Sequence, residues 1–367
     1  MNKVYHLEAN GKTNTGEYVN KVLEATKLSS DQDTEIKVFT SYQSFYKSQS
    51  VIPTFRKYGS TSNIIIKLYY YFTGYIKILF HLRKEKNLTV LHLHWLKFSA
   101  FDFLILSLIK SSTNTFLIFT VHNVLPHEHT FVDRFFYPLI YKKIDAFTFH
   151  SKSSRQRLIQ ELNLEAENYE LIPHYGYEVD NVPIQTNENS LLFFGTIRDY
   201  KGLDVLLNAC IKLPKELNWN LNIYGKPEIN LDELKEYTSQ HNLSDRIQWN
   251  TGWIEEEKID EIFLSHDIVV LPYKEIDNSG LLHLAMSYGK PVIASRLGSL
   301  MDLIEDGVSG ILFEANNSDD LARCILKLLK DKELKTKIGD NARKLMETDH
   351  SIERVGELHY QLYKKVL

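Results

Sequence analysis

Only two cysteines, Cys210 and Cys324, occur in the 367 residues, and no CxxC pair is present. Both lie in apolar, helix-like segments, which reads as packed thiols of a reducing compartment and weighs against a disulfide or a structural zinc. No stretch reaches the roughly 18 uncharged apolar residues that a membrane-spanning helix needs. Met1 to Glu8 lack the apolar core of a secretion signal and read instead as a first strand. Internal repeats, low-complexity tracts and a GxGxxG fingerprint are all missing. So are a compact basic motif and an aromatic RNA-binding signature, and no nucleic-acid partner is expected.

What is present is an apolar fraction of 43%, enough for a large core, in a chain long enough to favour two domains. The net charge of −4 hides an asymmetry. Through residue 160 there are 21 Lys and Arg against 11 Asp and Glu; beyond it there are 22 against 36. The first half therefore suits an anionic surface.

Short β-branched or aromatic runs recur between longer amphipathic stretches. In the first half they are Val4–Leu7, Ile36–Thr40, Val90–His94, Phe116–Val121, Ala146–Phe149 and Tyr169–Ile172. In the second they are Leu191–Phe194, Leu221–Tyr224, Ile247–Trp249, Ile268–Leu271, Val292–Ala294 and Ile311–Phe313. Strands alternating with helices imply α/β architecture with parallel sheets, and two such series imply two doubly wound domains. Ligands of such domains bind at the carboxyl ends of the strands. Residues 176–189, with Gly176, Pro183 and a polar run, read as a linker between a domain at 1–175 and another at 190–350.

Ile64 to Lys84 carries Ile65, Leu68, Tyr69, Phe72, Ile76, Leu79 and Phe80 at helical spacing, beside Lys67, Lys77, Arg83 and Lys84. The pattern suits a helix packed on its own domain or one resting on anionic lipid. Phe135, Phe136, Tyr137, Leu139 and Tyr141, flanked by Arg134, Lys142 and Lys143, form a second patch of the same kind.

Four segments carry candidate chemistry. After the strand ending at Phe194, one strand-to-helix turn holds Arg198 and Lys201, two cations placed to clamp a diphosphate without a metal. Ser279 and Gly280 begin a helix after another strand, and a helix start offers unpaired N–H groups and a positive dipole end to a phosphate. Thr120 to Glu128 comes at the end of the strongly apolar strand Phe116–Val121 and gathers His122, Asn123, His127 and Glu128, with His94 and Trp95 ending the strand before it. Polar groups at those strand ends mark an active-site face. Finally, Ala9 to Tyr18 supplies a glycine loop with Asn14 and Gly16.

Together these segments resemble the GT-B glycosyltransferases, in particular glycosyltransferase family 4, the retaining nucleotide-sugar enzymes. The similarity is carried by Phe194-Gly195 through Lys201-Gly202, Asp267 through Ala294, and Gly298 through Gly310, and more loosely by the glycine loop and Thr120–Glu128. The resemblance implies two Rossmann-like domains facing each other across a cleft, with residues 351–367 forming a helix that crosses back to the first. It implies that Arg198, Lys201, Ser279, Gly280 and Gly16 hold the donor diphosphate. Base and ribose would meet Tyr224, Gly225, Trp253, Ile254 and His283. Catalytic roles would fall to His122 and to Glu275 or Asp277, and the acceptor side to Asn14, His94, Trp95, Asn123, His127 and Glu128. The chain departs from the family at Thr196, where arginine is frequent, and at Ile276 and Leu284, where two glutamates are expected.

The implied reaction moves a hexosyl group from a UDP- or GDP-linked sugar to a saccharide, lipid-linked in bacterial surface polysaccharide synthesis, with retention. No metal or other cofactor is expected. The implied place is the cytoplasm, on the inner face of the membrane through the basic first domain. Two rivals are a sugar-nucleotide epimerase of related fold and a non-catalytic nucleotide- or glycan-binding module.

Overall fold

The computed structural model of the chain describes residues 2–11, 14–41, 51–125, 130–164, 166–179, 187–276 and 279–367. Contacts divide the chain into two compact units, Met1–Pro173 with Ile352–Leu367, and His174–Ser351.

The first unit contains β1 (Asn2–Leu7), α1 (Asn14–Ser29), β2 (Thr34–Thr40), β3 (Val51–Pro53), α2 (Ile64–Leu82), β4 (Thr89–Leu93), α3 (Ser99–Ser112), β5 (Thr115–Val121), α4 (Phe131–Tyr141), β6 (Ala146–Phe149), α5 (Lys152–Leu162) and β7 (Tyr169–Leu171). Its strands form one parallel sheet in the order β3-β2-β1-β4-β5-β6-β7. Direction reverses between β1 and β4, so right-handed crossovers put α1 on one face and α2 to α5 on the other. Burial on both faces explains the near-continuous apolar strands: Val4, Leu7, Val38, Leu93, Leu117 and Val121 have no exposed surface. Each such side chain contributes about 1.5–3 kcal/mol of burial.

The second unit contains β8 (Ser190–Phe194), α6 (Leu203–Ile211), β9 (Asn220–Gly225), α7 (Asp232–Gln240), β10 (Ile247–Thr251), α8 (Ile259–Ser265), β11 (Ile268–Leu271), α9 (Gly280–Ser287), β12 (Val292–Ser295), α10 (Gly298–Leu303), β13 (Ile311–Phe313), α11 (Ser318–Lys330) and α12 (Lys332–Glu347). Its sheet, also parallel, runs β10-β9-β8-β11-β12-β13, and the order reverses between β8 and β11. The stretch expected as a linker starts against this unit: the Gly176 N–H donates to the His350 carbonyl at 2.7 Å and the Tyr177 N–H to Ser287 Oγ at 2.9 Å. Cys210 on α6 and Cys324 on α11 are free, buried thiols. The last helix, α13 (Ile352–Val366), belongs to the first unit and packs along α1.

Two helices differ from the expectation. The stripe of α2 that faces the core is Tyr71, Tyr75, Ile78 and Leu82, whereas Ile65, Tyr69, Ile76 and Phe80 are exposed. The helix is apolar on two faces, and its spacing alone did not separate them. On α4, Tyr137 and Tyr141 are core residues and not part of a surface patch. The exposed stripe there is Phe131, Val132 and Phe135. α2 contacts α3 and α3 contacts α4, so these stripes, with Leu104 and Leu108 of α3 between them, share one face of the unit. Among the described residues, no helix is long and apolar enough to cross a membrane.

Candidate functional site

In the second unit, the carboxyl ends of β8 and β11 lie side by side at the switch point, where doubly wound sheets hold ligands. β8 leads into Gly195, whose N–H donates to the Tyr224 carbonyl at 2.9 Å; the Gly252 N–H donates to Gly225 at 3.1 Å. Thus Gly195 and Gly252-Trp253 continue β8 and β10 past their ends, on either side of Tyr224-Gly225 at the end of β9. Lys201 folds back over this edge, its Nζ 2.6 Å from where a Cβ on Gly195 would stand and 5.8 Å from the Tyr273 ring. Burial, and then the nearby Arg198 guanidinium, lower the Lys201 pKa to about 8, so the ammonium stays charged at pH 7.

The loop that carries Lys201 is fastened. Gly202 sits at φ +68°, and a Cβ there would come within 1.8 Å of the Pro272 carbonyl oxygen, so the close approach requires glycine. The Lys274 N–H donates to Tyr200 at 2.7 Å, and Lys274 Nζ pairs with Asp199 and Asp204 at 3.0 and 3.1 Å. Beside it, Ser279 caps α9, its Oγ accepting the Leu282 N–H at 3.2 Å. Tyr273 links the two features, since its ring faces Lys201 and its hydroxyl interacts with Ser279. The structure therefore gathers Lys201, Tyr273, Ser279 and Gly280 within this unit.

Other expected residues are placed differently. Arg198 is exposed and its Nε donates to Glu228 Oε2 at 2.7 Å, a hydrogen bond that raises its pKa. Glu275 is exposed, and Asp277 falls outside the described residues. Trp253 is 85% exposed, while Ile254 packs against the core. His283, in the second turn of α9, donates from Nδ1 to the Ser279 carbonyl at 3.1 Å, and its ring lies 5.1 Å from His174 and 5.3 Å from His350. Ile276 and Leu284 pack against the buried cluster, so the positions where the family has glutamates are turned to apolar use.

In the first unit the corresponding edge follows β1, β4, β5 and β6. The glycine loop curls around Glu8, whose carboxylate accepts the Asn10 N–H at 3.0 Å and the Gly11 N–H. Gly16 is buried in the first turn of α1, with the Gly11 carbonyl carbon 3.0 Å from where its Cβ would stand; Asn14 begins that helix. His94, Trp95, His122 and Asn123 line a pocket of ≈ 10 Å³ with Leu96, Phe119 and Tyr137, about the room one water needs. His127 and Glu128 lie outside the described residues.

His94 has no exposed surface and belongs to a polar network inside the sheet. Its Nε2 is 2.9 Å from His6 Nδ1; His6 Nε2 is 3.2 Å from the Tyr363 hydroxyl; His92 reaches that hydroxyl at 2.6 Å and Thr120 Oγ1 at 2.7 Å. His6, His92 and His94 bring possible ligand nitrogens within 4.8 Å of one another. Hydrogen bonds occupy both nitrogens of His6 and His92, leaving only His94 Nδ1 without a partner among the described residues. In this arrangement the cluster is a hydrogen-bonded core. Desolvation lowers the pKa of His6 to about 3 and those of His92 and His94 well below the usual range, so all three are neutral. Of this network the sequence reading singled out only His94; His6, His92 and Tyr363 were passed over as members of apolar strands or a helix.

Residues 27–175 match the family model described as Glycosyltransferase Family 4, and residues 178–345 match Glycosyl transferases group 1. The chain belongs to these glycosyltransferases, and its two doubly wound domains are the GT-B fold. It is similar to the GDP-mannose:glycolipid 4-beta-D-mannosyltransferase of Xanthomonas campestris pv. campestris, with 32% identity over 178 residues, 48% of this chain and 49% of that protein. An uncharacterized glycosyltransferase of Methanocaldococcus jannaschii is 25% identical over 243 residues, 65% of each chain. The matched stretches span 47% to 65% of the length of three such archaeal relatives. Among solved structures, Anabaena Alr3699/HepE in complex with UDP shares the fold over 100% of both chains, with a TM-score of 0.74 and 16% identity.

Proposed function

We propose that this protein transfers a hexosyl group from a nucleotide diphosphate sugar, UDP- or GDP-linked, to a saccharide acceptor, with retention and without a metal. The observation that carries the reading is Lys201 at the end of β8, joined through Tyr273 to the capped start of α9. Charge developing on a leaving diphosphate needs preorganised donors, and an ammonium beside free helix N–H groups supplies them with little reorganisation. Arg198 adds a second cation once it turns from Glu228. His122, at the carboxyl end of β5, is the candidate catalytic group of the first domain. The X. campestris relative, which uses GDP-mannose by its name, supports a nucleotide-sugar donor.

A lipid-linked acceptor for surface polysaccharide, reached from the cytoplasmic side, fits the first domain's exposed stripes: Ile65, Tyr69, Ile76 and Phe80, then Leu104 and Leu108, then Phe131 and Phe135. Lys67, Lys77, Arg83, Arg134, Lys142 and Lys143 lie among or beside them. This is the composition of a surface that rests on anionic lipid. A second reading, a module that binds a nucleotide sugar without turnover, is favoured by the apolar packing of Ile276 and Leu284. One screen separates them: purified protein is given UDP- and GDP-sugars with and without glycolipid acceptors, and nucleotide release is followed. Release that requires acceptor supports the transferase, tight binding without release supports the module, and conversion of donor alone supports an epimerase.

A further inference from the structure

His122 is tied to a partner that the sequence did not suggest. Its Nδ1 lies 3.2 Å from Nε2 of His150, the residue that follows β6, and His150 Nδ1 lies 3.0 Å from the carbonyl oxygen of Ile172. A carbonyl oxygen can only accept, so His150 carries its proton on Nδ1. A neutral imidazole protonated there has a lone pair at Nε2. The proton between the two rings then belongs to His122 Nδ1, which leaves His122 Nε2 as an acceptor. Burial lowers the His150 pKa to about 4, so its ring is neutral near pH 7. Tyr18 stands edge-on to both rings, with centroids 5.1 and 5.4 Å away, and limits their rotation.

We infer that His150 is a positioning residue: the relay from the Ile172 carbonyl through His150 fixes His122 in its Nδ1-protonated tautomer, so the group His122 meets is a hydrogen-bond donor, a sugar hydroxyl and not a phosphate oxygen. A phosphate oxygen only accepts at neutral pH and would be repelled by that lone pair. The identity of the hydroxyl rests on the transferase reading above; the tautomer does not.

The test uses the full chain labelled with 15N-histidine, measured by NMR without substrate, with the His122 signals assigned by their loss in His122→Ala. Native protein is expected to show His122 protonated at Nδ1 and not at Nε2. His150→Phe, which offers no acceptor, should redistribute the proton, while His150→Gln, which offers a carbonyl oxygen, should keep it in place. In the acceptor-dependent assay, His150→Phe should lower kcat about 10- to 100-fold, the effect of one misdirected hydrogen bond. The KM for donor should hardly change, and His150→Gln should recover most of the rate. An Nε2-protonated His122 in the native protein overturns the proposal, and so does a native-like pattern in His150→Phe. The native measurement decides even if a variant fails to fold. A protein that shows the expected tautomer but no transfer to any acceptor refutes the transferase reading and leaves the relay standing.

Discussion

In the first unit the carboxyl ends of the strands are lined with imidazoles, while in the second they are lined with glycines, a lysine and a helix start. Both sheets are parallel and reverse direction next to their first strand, so the topology places a site at the same edge of each. What differs is how that edge is held. The first is held from within: His6 is bonded to His94 and to Tyr363, and His92 to Tyr363 and to Thr120. The second is held by backbone, with Gly202 pressed against Pro272 and Lys274 tied to the loop before it. An internal network of neutral rings gives rigidity that depends on pH, and a backbone lock gives rigidity that depends on the absence of a side chain.

The largest expected effect that separates the two is acid sensitivity. His6, His150 and His359 have folded pKa values of about 3, 4 and 4 because burial disfavours the charged ring. All three are depressed from about 6.5, so the unfolded chain binds more protons between those values, and stability is lost as pH falls through that window. Between pH 7 and pH 5 each histidine costs up to about 2 kcal/mol. Hydrogen exchange at the two pH values should show the first unit opening well before the second. Equal loss in both would break the comparison.

Next in size is Lys201→Met. Turnover should fall about 10²- to 10³-fold, as when one preorganised donor is taken from a developing charge. The thermal midpoint should hold or rise, because a partly buried ammonium with a depressed pKa is removed. Unchanged turnover would mean that the anion is held elsewhere. Gly202→Ala should destabilise the second unit by about 2–4 kcal/mol, through a strained backbone and a clash with Pro272, and leave the first unit's exchange untouched. The smallest effect on stability, within about 0.5 kcal/mol, is expected for the exposed pair Tyr69→Glu and Phe135→Glu. That pair should nonetheless abolish flotation with anionic vesicles at low salt, and flotation equal to native would remove the lipid-facing surface from the proposal.

Legibility in the sequence follows the range of the interactions. Twelve strands could be read because each is a local apolar run. β3 could not, since Val51–Pro53 is three residues long and ends in a proline that only a sheet edge accommodates. The clamp segment was readable because Lys201 and Ser279 each sit a few residues past a strand. Tyr273, which joins them, looked like an ordinary strand-end residue. His6, His92, His150 and Tyr363 were opaque for a different reason: each gains its role from a residue far away in the chain. The two apolar faces of α2 were merged because periodicity counts apolar positions without saying what covers them.

Tyr363 lies on the final helix, yet it completes a network whose other members are in the first half of the chain. During synthesis the ribosome must therefore deliver the whole second domain before the first can close around its last hydroxyl. A nascent first domain waits with α1 uncovered and the hydroxyl that bridges His6 and His92 still missing. The first domain is finished by a helix that follows the second in the chain, and a gene fragment encoding residues 2–173 alone would yield a sheet lacking its keystone.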